Sequence, residues 1–223
     1  MCGRFTLAQD EQTLLEAFDI PALAFDLVPR FNIAPGQSAI VVAQDRSGRR
    51  AGMLRCGLVP ARADDLGAGF INARAETVAS KPSFREAFAR RRCLVPADGF
   101  YEWRRAGEAK EARWFHPAQE ALFAFAGIWE SWRRPGAEPR HTFAILTTAA
   151  NDDVRPTHHR MPLLVMAADR DAWLDRDTDA VRLASLLGAA PESRIVSHAV
   201  SMRVNRAIDD DAALIVPLTE LAD

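Results

Sequence analysis

At 223 residues, with 48% hydrophobic content and a formal charge of −2, the chain has ample material for a packed core and no global charge that would by itself mark a nucleic-acid binder. No window reaches the roughly 18 apolar residues of a membrane span and the start lacks the apolar run of a signal peptide, so a cytoplasmic protein with no membrane association is expected. The odd set Cys2, Cys56 and Cys93 lacks paired spacing, which argues against a disulfide framework and leaves Cys56 and Cys93 as small buried hydrophobes.

The chain opens Met1-Cys2-Gly3-Arg4-Phe5. If Met1 is removed, Cys2 carries a free α-amine and a thiol on one carbon frame, with reference pKa values of about 7.7–8.0 and 8.5. An aldehyde condensing with that amine can be captured by the thiol as a thiazolidine. The plain alternative is an unimportant frayed start. Further along, Leu14, Leu15 and Phe18 recur at helical spacing, which predicts a helix over 10–19 with Asp10 as cap and Pro21 as stop. Val28 to Gly36 reads as loop, leading into a β-branched strand at 40–42. A second strand is expected over 53–59, ended by Pro60, then a polar loop over 61–69 and renewed order at 70–74.

A helix is expected over 83–90, with Ser83 as cap. Strands then dominate, at 93–96, 99–103, 114–115, 122–129 and 143–148, and short turns such as Arg105-Ala106-Gly107 imply antiparallel pairing. Residues 168–174 and 178–187 read as helices, and 195–200 with 214–216 as late strands. These elements predict an α+β protein, a single domain over 1–223 with a largely antiparallel β-sheet or barrel core and peripheral helices.

Several polar groups interrupt this pattern. Strand alternation sets Asn72 and Arg74 on one face; Asn72 has the donor and acceptor to orient a small polar group, or it is a strand-end turn residue. Glu102 lies between Tyr101 and Trp103, where a desolvated carboxylate would suit proton transfer, unless alternation turns it to solvent. His158 and His159 sit in a loop after the 143–148 strand, where an imidazole can move protons near neutrality. Adjacent histidines make no bidentate metal site, and no metal or cofactor is predicted. The basic side is nearly all arginine, clustered at Arg90-Arg91-Arg92, Arg104-Arg105 and Arg133-Arg134, either a phosphate-binding patch or solvated surface.

Taken in order, Cys2-Gly3-Arg4-Phe5, Phe31-Asn32-Ile33-Ala34-Pro35, Ile71-Asn72-Ala73-Arg74-Ala75-Glu76-Thr77, the run from Cys93 to Trp103, Phe125-Ala126-Gly127-Ile128-Trp129-Glu130, Thr147-Thr148-Ala149-Ala150-Asn151 and His158-His159-Arg160-Met161-Pro162 resemble the SRAP family, the SOS response-associated peptidases. The resemblance implies a monomer that recognises abasic sites in single-stranded DNA and crosslinks to them through Cys2, without a cofactor. It implies that Asn72 orients the N-terminal residue and the sugar, that Glu102 assists proton transfers, and that His158 acts as acid and base on the opening sugar. His158 is chosen over His159 because the family histidine lies four residues before the proline. Arg4, Arg74 and Arg160 match basic positions near the DNA phosphates, and 200–205 resembles a loop near the DNA. The family name implies an alternative, a thiol peptidase or autoprocessing enzyme with Cys2 as nucleophile. One stretch departs from the family pattern: Cys56 and Arg62 stand where tryptophans are common, which removes two stacking surfaces.

Overall fold

Runs of alternating and β-branched residues fold as twelve strands among the described residues of a computed structural model, which describes residues 3–67, 69–107, 109–134, 136, 138–188 and 195–220. They are β1 (Phe5–Leu7), β2 (Arg30–Ile33), β3 (Ser38–Asp45), β4 (Gly48–Cys56), β5 (Asn72–Arg74), β6 (Arg92–Ala97), β7 (Gly99–Ala106), β8 (Ala109–Pro117), β9 (Phe123–Trp132), β10 (Arg140–Ala149), β11 (Arg160–Pro162) and β12 (Ile195–Val200). Four short helices lie between them: α1 (Glu11–Phe18), α2 (Arg85–Arg90), α3 (Arg170–Leu174) and α4 (Ala180–Leu186).

One sheet runs β11-β10-β4-β3-β6-β9, and β9 also pairs with β10, so five of its strands close into a barrel. Closure removes the free edges that a sheet of this size would otherwise expose. The pairings are antiparallel except where β10 meets β4 and β5, which run parallel to it. A second, wholly antiparallel sheet has the order β12-β8-β7-β1-β2. The α+β architecture with a barrel core and peripheral helices is therefore what the chain adopts.

The two sheets meet through aromatic rings. Phe5 of β1 and Phe100 of β7 lie edge-on to Phe125 of β9, with ring centres 6.2 and 6.0 Å apart, and Phe123 packs beside them. Each of these rings is at most 4% exposed, a burial of about 1.5–3 kcal/mol per side chain. The opposite face of β7 is covered too. Tyr101 packs with Ala112, Val200, Val204 and Leu214, and Trp103 lies against that cluster. Gly99 starts β7 because nothing larger fits, since a Cβ there would lie 2.2 Å from the indole nitrogen of Trp114.

Local signals account for some boundaries and not others. The Asp10 carboxylate accepts from the Thr13 amide and starts α1 as expected, but Asp19, in the left-handed conformation (φ 51°), ends it before Pro21 is reached. Ser83 is not the cap of α2: Phe84 holds that place without a side-chain bond, and its ring is buried in the core instead. The 214–216 strand is absent; residues Ala212–Ile215 form a 3-10 helix because the Asp211 side chain accepts from the Ala213 amide and Leu214 turns into the Tyr101 cluster. Conversely β2 and β11, read as loop, become strands because β1 and β10 offer edges to pair with. Among the described residues no helix is long and apolar enough to cross a membrane.

Candidate functional site

The C-terminal half of β10 organises the first part of the site. β5 lies beside it in parallel, with Asn72 opposite Ile145 and Arg74 opposite Thr147, while β11 sets Arg160 opposite Ala149. Ala73 and Ala75 are buried, so Asn72 and Arg74 share the other face, as alternation requires. The Asn72 amide nitrogen lies 3.4 Å from the Ile145 carbonyl oxygen, to which it donates. Arg74 is exposed, which suits contact with a ligand phosphate.

Arg160 is held differently. Its guanidinium donates to both carboxylate oxygens of Glu76, at 2.5 and 2.9 Å, and to the carbonyl of Thr147 at 2.5 Å. This fork-to-fork pairing joins the turn after β5 to β11 and pulls the Glu76 carboxyl below the usual carboxylate range, the Arg160 hydrogen bond being the main cause. The backbone of the same arginine holds His158. The Nδ1 of His158 lies 3.0 Å from both the amide nitrogen and the carbonyl oxygen of Arg160. Accepting from the amide places the ring proton on Nε2; donating to the carbonyl leaves Nε2 as the base. Either way the Arg160 backbone takes Nδ1. His159 stacks on it with ring centres 4.5 Å apart.

Glu102 belongs to the other sheet. It is 3% exposed, and it follows Phe100 on the barrel-facing side of β7 while Tyr101 and Trp103 point the opposite way. Alternation therefore does not deliver Glu102 to solvent, because both faces of β7 are covered. The register of β1 on β7 pairs Phe5 with Phe100 and Thr6 with Gly99, and the Tyr101 amide donates to the Arg4 carbonyl at 2.9 Å. Continued by two residues, that register sets Gly3 across from Glu102. Cys2 lies outside the described residues.

Arg4 turns inward. Its guanidinium donates to Asn32 Oδ1 at 2.9 Å and to the carbonyls of Val204 and Asn205 at 2.5 and 3.1 Å. Asn32, fully buried, donates in turn to the carbonyls of Val204, Arg206 and Asp209 at 3.2, 3.0 and 2.7 Å. Together the two residues strap the 3-10 helix Met202–Asn205 to the N-terminal strand. Within that strap the Trp103 indole donates to Asn205 Oδ1 at 3.0 Å.

Some members of the arginine clusters serve the fold. Arg91 pairs with Glu130 at 2.7 Å and with Glu86 at 3.5 Å, and buried Arg92 donates to the carbonyls of Trp173 and Phe88 at 2.7 and 2.8 Å. Arg104 pairs with Glu111 across β7 and β8. The two internal cysteines are buried and free, and burial pushes the Cys56 thiol up to about 12 and the Cys93 thiol higher still, which leaves neither as a nucleophile. Among the described residues no three metal-ligating side chains converge.

Asn32 and Glu76 stood in the sequence only as members of longer motifs, and neither announced a role. Each acts on a partner remote in sequence, Arg160 lying 84 positions after Glu76. Another side chain without a sequence signal is Phe70, 40% exposed, edge-on to Phe84 at 5.2 Å and bridged to Leu58 through the backbone. The Lys81 ammonium lies 5.3 Å from the Phe84 ring centre. This aromatic surface adjoins Asn72 in sequence, in a chain that carries Cys56 and Arg62 at the two positions discussed above.

Comparison with known proteins identifies relatives of the chain. The family model described as SOS response associated peptidase (SRAP) matches residues 1–207. The chain is 38% identical over 221 residues to the abasic site processing protein YoqW of Bacillus subtilis (strain 168), covering 96% of this chain and 99% of that protein. It is 33% identical over 224 residues to the abasic site processing protein HMCES of Gallus gallus, covering 85% of this chain and 66% of the relative. Among solved structures, a protein from Bacteroides thetaiotaomicron superposes with a TM-score of 0.87 at 21% identity, over 97% of this chain and 99% of that one, a likeness of fold.

Proposed function

This chain belongs to the SOS response associated peptidase (SRAP) family, and on that premise we propose that it captures abasic sites in single-stranded DNA by forming a covalent bond through Cys2. Its relatives YoqW and HMCES bear the name abasic site processing protein, which supports DNA-lesion processing as the activity. The observation that carries the covalent reading is the register of β1 on β7, which leads the N-terminal strand along a buried carboxylate at Glu102.

With Met1 removed, the Cys2 α-amine adds to the C1′ aldehyde of the ring-opened sugar, and the carbinolamine loses water to give a Schiff base. The Cys2 thiolate then adds to the imine carbon, the imine nitrogen takes a proton, and a thiazolidine closes. Glu102, short of solvent and next in register to the N-terminal strand, moves protons on and off that nitrogen and the leaving water. His158, its Nδ1 taken by the Arg160 backbone, acts through Nε2 on the sugar hydroxyl during ring opening. Asn72 orients the amine and the sugar oxygen. Arg74 meets the flanking phosphate, and Phe70 offers a face for a neighbouring base, a contact typically worth about 1–3 kcal/mol. Arg4 fixes the course of the strand that presents Cys2.

The test is incubation with a single-stranded oligonucleotide carrying one abasic site. The expected outcome is an adduct that survives denaturation without added borohydride, has the intact mass of protein plus DNA less one water, and disappears in Cys2→Ala. Reversible, salt-sensitive binding alone would overturn covalent capture, and turnover of an unrelated peptide lost in Cys2→Ala would favour the peptidase reading instead.

A further inference from the structure

We propose that Glu76 is a built-in competitor for a DNA backbone phosphate at Arg160, so that this cation is held in reserve until a phosphate displaces the carboxylate. This rests on the reading that the face around the end of β10 meets DNA. A guanidinium offers the same planar fork to a carboxylate and to a phosphate, and Glu76 takes that fork with both oxygens. One terminal nitrogen also reaches the Thr147 carbonyl and, at 3.3 Å, its hydroxyl, while Nε is buried with no hydrogen-bond partner among the described residues.

The two partners are unequally anchored. The Arg160 side chain is 14% exposed and stays tied to Thr147 if Glu76 departs; the Glu76 side chain is 51% exposed and returns to water on release. Exchange of a carboxylate for a phosphate therefore leaves the arginine in place and its backbone bond to His158 intact. Arg74, on the same strand face and close enough to act on the Glu76 charge, adds a second cation. With Glu76 in place the three side chains carry a net charge of +1, and without it +2. A protein that must pass over undamaged strand to reach a rare lesion gains from this arrangement, since ordinary backbone is held less tightly than the arginines alone would hold it.

The experiment is equilibrium binding of undamaged single-stranded DNA across about 50 to 200 mM salt, for the wild-type chain, for Glu76→Gln, Glu76→Asp and Arg160→Ala, and for Glu76→Gln combined with Arg160→Ala. Glu76→Gln is expected to steepen the slope of log Kd against log salt by about 0.7 and to tighten binding roughly three- to tenfold at the low-salt end. Arg160→Ala is expected to weaken binding more in the Glu76→Gln background than in the wild type. Glu76→Asp, which keeps the charge, should keep the wild-type slope, and it serves as the folding control alongside thermal unfolding. An unchanged slope in Glu76→Gln, or an equal effect of Arg160→Ala in both backgrounds, overturns the competitor alone. A wild-type chain with no salt-dependent binding overturns the DNA reading and this inference with it.

Discussion

Arg4, just before β1, and Arg160, at the start of β11, present the same guanidinium fork, and the groups that close each fork are of opposite kinds. Around Arg4 the acceptors are neutral, namely Oδ1 of buried Asn32 and the backbone carbonyls of buried Val204 and of exposed Asn205. Around Arg160 the principal acceptor is the half-exposed carboxylate of Glu76. A buried carbonyl that loses its donor is left unsatisfied, at about 1–3 kcal/mol each, so the strap at 202–209 cannot open cheaply. A carboxylate released to water is rehydrated, so the pair at the end of β10 can exchange. The contrast teaches that position in a basic motif does not decide whether an arginine is free to exchange its partner; the identity and exposure of that partner does.

The sharpest way to break this comparison is to remove the hub of the strap. Asn32→Ala deletes one acceptor and the donor that serves the carbonyls of Val204, Arg206 and Asp209, and it should lower the unfolding free energy by about 2–4 kcal/mol in a urea titration. A loss below about 1 kcal/mol would show that water or relaxation replaces those bonds. A middle-sized effect separates structural from ligand-facing cations. Arg74→Ala should reduce the salt slope of DNA binding by about 0.7 with little change in thermal stability. Arg4→Ala should do the reverse, lowering stability and slowing adduct formation at saturating DNA while leaving the slope alone. Equal slopes for the two variants would erase the distinction drawn between them.

The smallest predicted effect concerns the outer face of the second sheet. His116 stacks on Trp114 with ring centres 4.5 Å apart, and burial first, then the neighbouring His198, holds its pKa below the ordinary 6.5, with the Pro117 carbonyl and Asp98 opposing. The unfolded chain therefore binds the proton more readily than the folded one, so stability rises with pH across this window and falls as pH drops from 6.5 toward the lowered value. His116→Gln should flatten that decline by about 1–2 °C in melting temperature between pH 7 and 5. A profile identical to wild type would place the acid sensitivity elsewhere.

Some of the site was legible because its signals are short-range. Asp10 caps the helix that follows it, and Asn72 and Arg74 share a face because strands alternate. The helix at 83–90 shows the limit of such signals: Ser83 is an adequate cap in isolation, yet Phe84 is drawn into the core and moves the start of the helix. Glu102 was undecidable from alternation for a related reason, since period two says which residues oppose each other and not whether the opposite face is wet. The Tyr101 cluster on one side and the Phe100 cluster on the other settle it.

By itself the sequence determined the α+β class, the succession of antiparallel strands from 93 to 148, the buried thiols and the family to which the chain belongs, all properties carried by local pattern or by motifs in order. Only the tertiary structure decided that five strands close into a barrel, that β2 and β11 are strands, and that Arg92, alone of its cluster, is buried among backbone carbonyls. It also decided that Glu76 meets Arg160 and that Asn32 meets Arg4. The physical reason is the same in each case. These outcomes depend on which edge, carbonyl or carboxylate arrives from a distant part of the chain, and an unpaired polar group takes whatever partner the packed core brings within hydrogen-bond reach.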